Sequence, residues 1–276
     1  MSTYITLSNG DLLLAAIFLV LNALFSILLK LRLEHQLIVS ALRMVAQLLL
    51  VGLVLKAIFT LASPWLTLLA AGVMVTFAGR EIWARQDRRL AGLWGIGLGG
   101  ASMLLAGMMV TVFALTIQIR PAPWWSPQFA LPLFGMILGN TMTGVSLGLD
   151  TLHTALHRER ASIEAKLLLG RTRWEAVSVV HQRAVRSGFT PIINSMAATG
   201  IVSLPGMMTG QILSGIDPQE AVKYQILITL LIGGATGLGV LAATFASIWR
   251  LTDNRERLRL DRLAAPRTQT TRAKAS

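Results

Sequence analysis

Apolar residues along this chain collect into long runs separated by short polar connections, and most runs are too long for strands. A helix needs about 20 predominantly apolar residues to cross a hydrocarbon core of roughly 30 Å. Seven stretches approach that length: residues 12–29, 37–59, 61–79, 90–119, 129–149, an interval starting near 189, and 224–249. The second is interrupted by Arg43 and, near its end, by Lys56. The fourth is uncharged throughout, long enough to tilt or to break at Gly95, Gly97, Gly99 and Gly100. The sixth lies in a charge-free interval, 187–216, that contains Leu204-Pro205-Gly206. Proline removes a backbone donor and glycine relaxes the chain, so a helix break is expected there. The pattern predicts an all-α polytopic membrane protein with about seven transmembrane helices.

Composition agrees: 54% of the 276 residues are hydrophobic and 14% charged, where soluble domains carry about 25% charged residues. A water-soluble enzyme is excluded. The formal charge of +12 would suit a nucleic-acid partner, but 21 of the 25 Lys and Arg residues fall in segments 30–36, 80–90, 151–188 and 250–276. Those segments share one side if each stretch crosses once, and basic residues accumulate on the cytoplasmic side. The N-terminus is therefore expected outside and the C-terminus in the cytoplasm, with the bilayer as surroundings and no nucleic acid bound. The first run lacks a basic flank and exceeds a signal-peptide core, so it reads as a retained span. One membrane domain, 1–250, is expected to precede a basic cytoplasmic tail, 251–276, that frays. The absence of cysteine leaves no thiolate chemistry. No Gly-x-x-x-x-Gly-Lys-Ser/Thr segment is present, so ATP is not bound in the P-loop manner. The acids fall at span ends, in loops or in the tail, which counts against a proton- or sodium-coupled carrier.

The one long internal loop, 150–188, carries helix punctuation. Residues 155–169 contain no proline or glycine and predict a stalk continuing the fifth span. Gly170 stands where a left-handed C-cap is needed, and Thr172 precedes Glu175 at capping-box spacing. A second helix is expected over 173–186, with Trp174, Val177, His181 and Ala184 on one face and Arg173, Arg183 and Arg186 on another. That face suits either lipid headgroups or a cytoplasmic partner. Further along, Asp217-Pro218-Gln219-Glu220 combines an N-cap, a first-turn proline and capping-box spacing. Backbone groups freed at Pro205 and Gly206 must face protein or a water-filled cavity, so this segment is expected to line a pathway or gate. Met207 and Met208 beside it offer soft thioethers suited to packing or to soft metals. Asn140, Thr141, Thr143, Asn194 and Ser195 need interhelical partners or substrate at membrane depth. Gly135/Gly139, Gly144/Gly148 and Gly233/Gly237 are spaced for close helix approach. Arg43 and Gln47 share a face, open to snorkelling or to buried pairing. His153 and His157 lie one helical turn apart, as metal ligands often do, beside Glu159.

Glu164-Ala165-Lys166-Leu167-Leu168-Leu169-Gly170 resembles the Glu-Ala-Ala-x-x-x-Gly core of the loop by which ABC-transporter permeases engage their ATPase. The Ile-x-Leu-Pro ending of importers is replaced by Val180-His181-Gln182-Arg183. More specific is Gly200-Ile201-Val202-Ser203-Leu204-Pro205-Gly206-Met207-Met208-Thr209-Gly210, followed by Gly215-Ile216-Asp217-Pro218 and Ala221-Val222-Lys223-Tyr224-Gln225-Ile226. That block resembles the bacterial iron-export ABC permeases of the FetB type, relatives of plant aluminium-tolerance permeases. Arg43, Gln47 and Gly135-Met136-Ile137-x-Gly139-Asn140 fit the same pattern, so the likeness runs from the second span to the seventh. The resemblance implies a permease subunit of an ATP-driven transporter in the bacterial inner membrane, exporting iron or another metal ion. It implies a homodimer with P-loop ATPase subunits that carry ATP-Mg, and no reaction or cofactor in this chain. It places ATPase coupling at Glu164, Ala165, Gly170, Thr172, Trp174 and Glu175. The pathway or gate would draw on Ser203, Leu204, Pro205, Gly206, Met207, Met208 and Gln211, with Asn140, Asn194, Arg43 and Gln47; no metal ligands are assigned. Two other readings stay open, a self-contained channel or carrier and a membrane-embedded enzyme acting on lipid-linked substrates.

Overall fold

The computed structural model describes residues 8–61, 63–253 and 255–264. Among them the chain forms α1 (Asn9–Leu28), α2 (Glu34–Leu61), α3 (Pro64–Arg85), α4 (Leu93–Phe113, prolonged by a π-helical turn at Ala114–Ile119), α5 (Pro127–Arg158), α6 (Arg160–Leu168), α7 (Arg173–Ala198), α8 (Gly206–Leu213) and α9 (Pro218–Arg250). No strand occurs among the described residues. Six helices, α1 to α5 and α9, are long and apolar enough to cross a membrane. The protein is an all-α, multi-pass membrane protein.

Its core forms where small residues let helices approach. A Cβ at Gly144 of α5 would lie 2.6 Å from Thr236 Cγ2 of α9 and 2.9 Å from the Gly188 carbonyl oxygen of α7. Glycine at both 144 and 188 therefore sets the distance among these helices. Val145, Leu149, Leu152 and Ala184 are sealed in the resulting seam with Val240 and Ala243. Pairing at 144 and 148 is thus used for contact, whereas Gly139 faces open space.

Four expectations about helix boundaries need correction. The stalk is not one helix: α5 stops at Arg158, and Glu159, whose carboxylate is held by Arg158 and Arg183, separates it from α6. The helix after Gly170 does not end near 186. Gly188 packs so closely on α5 that α7 runs on through Pro191 to Ala198. The break in the sixth stretch begins at Thr199 and Gly200, not Leu204, because Gly200 adopts φ +89° and Thr199 caps by donating to the Ser195 carbonyl. This stretch is divided between α7, an irregular segment and α8. The fourth stretch does not break at its glycines; Gly95, Gly99 and Gly100 pack within α4, as where Gly79 meets Gly100, Gly97 faces open space, and the irregularity is the π-helical turn at its other end.

Three of the four basic segments meet at one end of the bundle. The His153 Nδ1–H donates to the Arg88 carbonyl at 2.9 Å, while Nε2 accepts from the Ser247 hydroxyl at 2.7 Å. The start of the tail also folds here. Ala91 N–H donates to the Arg262 carbonyl and Ala264 N–H to the Arg89 carbonyl, and Arg250 stacks over Trp94. Fraying from residue 251 is thereby corrected up to 264; residues 265–276 lie outside the described residues. Glu81, in the last turns of α3, is a helical acid bordering the membrane domain, which amends the expectation that the remaining acids sit in loops or tail.

Candidate functional site

Two places in the fold concentrate the residues singled out above. The first is the turn between α6 and α7, at the basic end. Gly170 takes φ +83°, its N–H donates to the Leu167 carbonyl, and Arg171 N–H donates to the Lys166 carbonyl. These two bonds close the C-terminus of α6 in a Schellman arrangement. Two residues on, the Thr172 hydroxyl accepts from Glu175 N–H, and the Glu175 carboxylate accepts from Thr172 N–H at 3.0 Å. The turn is fixed from both sides by local bonds. Beyond it, the N–H of Arg173 donates to the Glu256 carboxylate, and Arg173 Nε pairs with the same group at 3.2 Å. The folded start of the tail thus straps the beginning of α7.

Most of the apolar face of α7 is turned into the bundle. Ala176, Val177, Val180 and Ala184 are buried against α5 and α9. Phe245 of α9 lies 5.3 Å from the Trp174 ring and 4.6 Å from the His181 ring. The four buried side chains are spent inside the bundle, while Trp174, at the start of the same face, stays 40% exposed. More open still is the turn: Leu168 and Leu169 are 89% and 83% exposed, alongside Ala165, Gly170 and Arg171. Glu164 pairs with Arg160 at 2.7 Å. Hydrogen bonding from Arg183 holds the Glu159 carboxyl below its ordinary range, and partial burial lowers His181.

The second place is a cavity of about 510 Å³ bounded by α2, α3 and α5. Arg43 and Gln47 line it from α2 and Glu81 and Arg85 from α3, while Met44, Met74 and Met142 supply one methionine from each helix. Arg43 Nη2 lies 3.6 Å from one Glu81 oxygen and Arg85 Nε 3.3 Å from the other. Arg43 is therefore paired, although the pair is only half-buried and adds little stability of its own.

The proline-glycine segment lies elsewhere. Pro205 precedes the first residue of α8, Ser203 and Leu204 are exposed, and Gly200 N–H donates to the Ser203 carbonyl at 2.9 Å. Met207 packs on a cluster containing Ile192, Ile228 and Ile232, and Met208 is half-buried. Gln211 has a buried side-chain oxygen with no hydrogen-bond partner. α8 packs on α9, whereas α2 packs on α1 and touches α5; the cavity lined by Arg43 and Gln47 includes neither Met207 nor Met208. Asn140 bonds its own helix at Met136, Thr141 is buried without a partner, and Asn194 is exposed. Asp217 caps α9 by accepting from Gln219 N–H, but Glu220 pairs with Lys223 instead of closing a capping box. Both His153 ring nitrogens are spent on the contacts described above, so the His153/His157 pairing brings no two free imidazoles together.

The model of the Uncharacterised protein family (UPF0014) matches residues 9–251. This chain belongs to UPF0014. A UPF0014 membrane protein of Synechocystis is 39% identical over 223 residues, 80% of this chain and 84% of its relative. The Escherichia coli protein named "Probable iron export permease protein FetB" is 33% identical over 260 residues, covering 91% and 95%. Arabidopsis thaliana "Protein ALUMINUM SENSITIVE 3" is 30% identical over 232 residues, covering 84% and 82%. No solved structure matches the chain. For this UPF0014 chain, reading the sequence missed Glu81 and the Glu256 strap. A signal for the first existed: an arginine two turns into a span asks for a carboxylate, and Glu81 stands four residues before Arg85.

Proposed function

We propose that this UPF0014 chain is the membrane-spanning permease subunit of an ATP-driven exporter in the bacterial inner membrane. In this reading a separate P-loop subunit hydrolyses ATP-Mg, two copies of the chain assemble with it, and iron or another metal ion is the cargo. The observation that carries the reading is the α6–α7 turn. Two leucines are held almost fully exposed by a glycine C-cap and a capping box, at the end where the basic segments meet. Apolar residues presented on a rigid knob suit docking into a cleft of another protein, because little order is lost on binding. The seven-residue motif around Glu164 and Gly170 supports an ATPase as that partner. A relative named for iron export, alignable over 91% of the chain, supports the direction and the cargo.

Coupling then has a mechanical route. Movement of the turn is passed along α7, whose buried face is locked to α5 and α9, while Glu256 ties the same helix start to the tail and thence to the α3–α4 connection. Affinity purification from membranes tests the reading. A P-loop ATPase should be recovered in fixed ratio with the chain, and its hydrolysis should respond to metal; a chain that purifies alone with transport intact would make it a self-contained carrier. Reporters fused after residues 85 and 175 should both be cytoplasmic and those after 62 and 126 external.

A further inference from the structure

The cavity bounded by α2, α3 and α5 carries an unbalanced charge. Two guanidiniums, Arg43 and Arg85, face one carboxylate, Glu81, in a space of about 510 Å³. Glu81 splits its oxygens between them. Among the described residues Arg43 donates no hydrogen bond, since its approach to Glu81 is 3.6 Å, and the Gln47 amide one turn away also has no partner. A guanidinium offers five donors in a planar fork and an amide two more. Arg43 is about half exposed and Gln47 is exposed, so these donors are open to a ligand entering the space. A bare divalent cation would meet net positive charge here, and its one anionic ligand is already shared by two arginines. A carboxylate or phosphate would instead find an unfilled fork.

We infer that this cavity binds the cargo through an oxyanion, so that metal is taken as an anionic chelate and not as a bare cation. Arg43 holds the carboxylate of the chelate, Gln47 donates beside it, and Glu81 competes for the same guanidinium. Met44, Met74 and Met142 give the chelate polarisable walls. The inference rests on the export reading for its role in transport, while its binding test does not depend on an ATPase.

The test uses the full-length chain in phosphatidylcholine nanodiscs and ferric citrate labelled in both metal and citrate. Both labels should bind saturably in fixed ratio. Arg43→Gln should weaken binding about tenfold, the loss of one charge-assisted contact, and Arg43→Lys should weaken it less. Glu81→Gln should leave binding unchanged or tighten it, because the competing carboxylate is gone. The opposite signs matter: saturable binding of ferrous ion without citrate, abolished by Glu81→Gln and untouched by Arg43→Gln, would make this a cation site and overturn the inference. Failure of citrate to bind would overturn it equally. Phosphatidylglycerol-rich nanodiscs should not compete; if they do, the oxyanion is a lipid headgroup and the cargo claim falls. Membrane abundance of each variant is read alongside, and Arg43→Lys separates lost chemistry from lost folding. Absence of an ATPase on purification would defeat the export reading and leave these binding results standing.

Discussion

The α5–α7–α9 seam and the α1–α2 hairpin use apolar residues in opposite ways. In the seam, backbones approach through Gly144 and Gly188, and Val145, Leu149, Leu152 and Leu156 are sealed. Along α2, Ile58 is buried and Leu48, Leu49, Leu50 and Leu53 are more than half exposed. α1 packs on α2 with Leu13 and Phe18 exposed. The seam is defined by shape; the hairpin, apart from the Ser26–Glu34 hydrogen bond at its turn and the Arg43–Glu81 pair, is defined by hydrophobicity, its surface left for lipid or another copy. Substitutions should therefore be punished by contact in one region and tolerated in the other.

The largest contrast is expected from one change made in both. Gly144→Leu would drive side-chain atoms into Thr236 and the Gly188 backbone, overpacking that costs about 1–3 kcal/mol or more. Gly52→Leu meets nothing within 4 Å. Thermal stability in detergent should fall sharply for the first and stay unchanged for the second; equal effects would remove the distinction between shape and hydrophobicity. Next, Gly170→Val places a β-branched residue at φ +83°, a strain of order 1–3 kcal/mol. Because nothing lies within 4 Å of that position, the bundle should survive while ATPase recovery drops. Loss of the protein from the membrane instead would show that the turn belongs to the folding core.

The smallest effect is expected at the strap. Glu256→Gln removes a half-exposed ion pair with Arg173, worth a few tenths to about 1 kcal/mol. It should leave insertion unchanged while weakening coupling of hydrolysis to metal; no change in coupling would confine the strap to packing.

What the sequence revealed follows from range. The turn was legible because its bonds are local: Gly170, Thr172 and Glu175 act within a few residues of themselves. Long helices were legible from apolar length. The continuation of α7 past Arg186 was not, since it depends on Gly188 meeting Gly144, 44 residues away in the chain. Glu81 was hidden because charge was taken as the end of a span, whereas α3 carries its acid to Arg43 on another helix. The folded tail was hidden too, its order resting on backbone bonds to residues 89–91 without periodicity of its own.

The central claim, that the α6–α7 turn docks an ATPase, has a direct test because the chain contains no cysteine. Arg171→Cys, at the exposed tip of the turn, should cross-link to the co-expressed P-loop subunit with a short reagent that joins this thiol to a lysine amine of the partner. Leu168→Asp with Leu169→Asp in the same background should abolish the product without reducing membrane abundance. A cross-link of undiminished yield with both leucines replaced, or labelling of residue 171 by lipid-phase probes in place of the ATPase, would contradict the account.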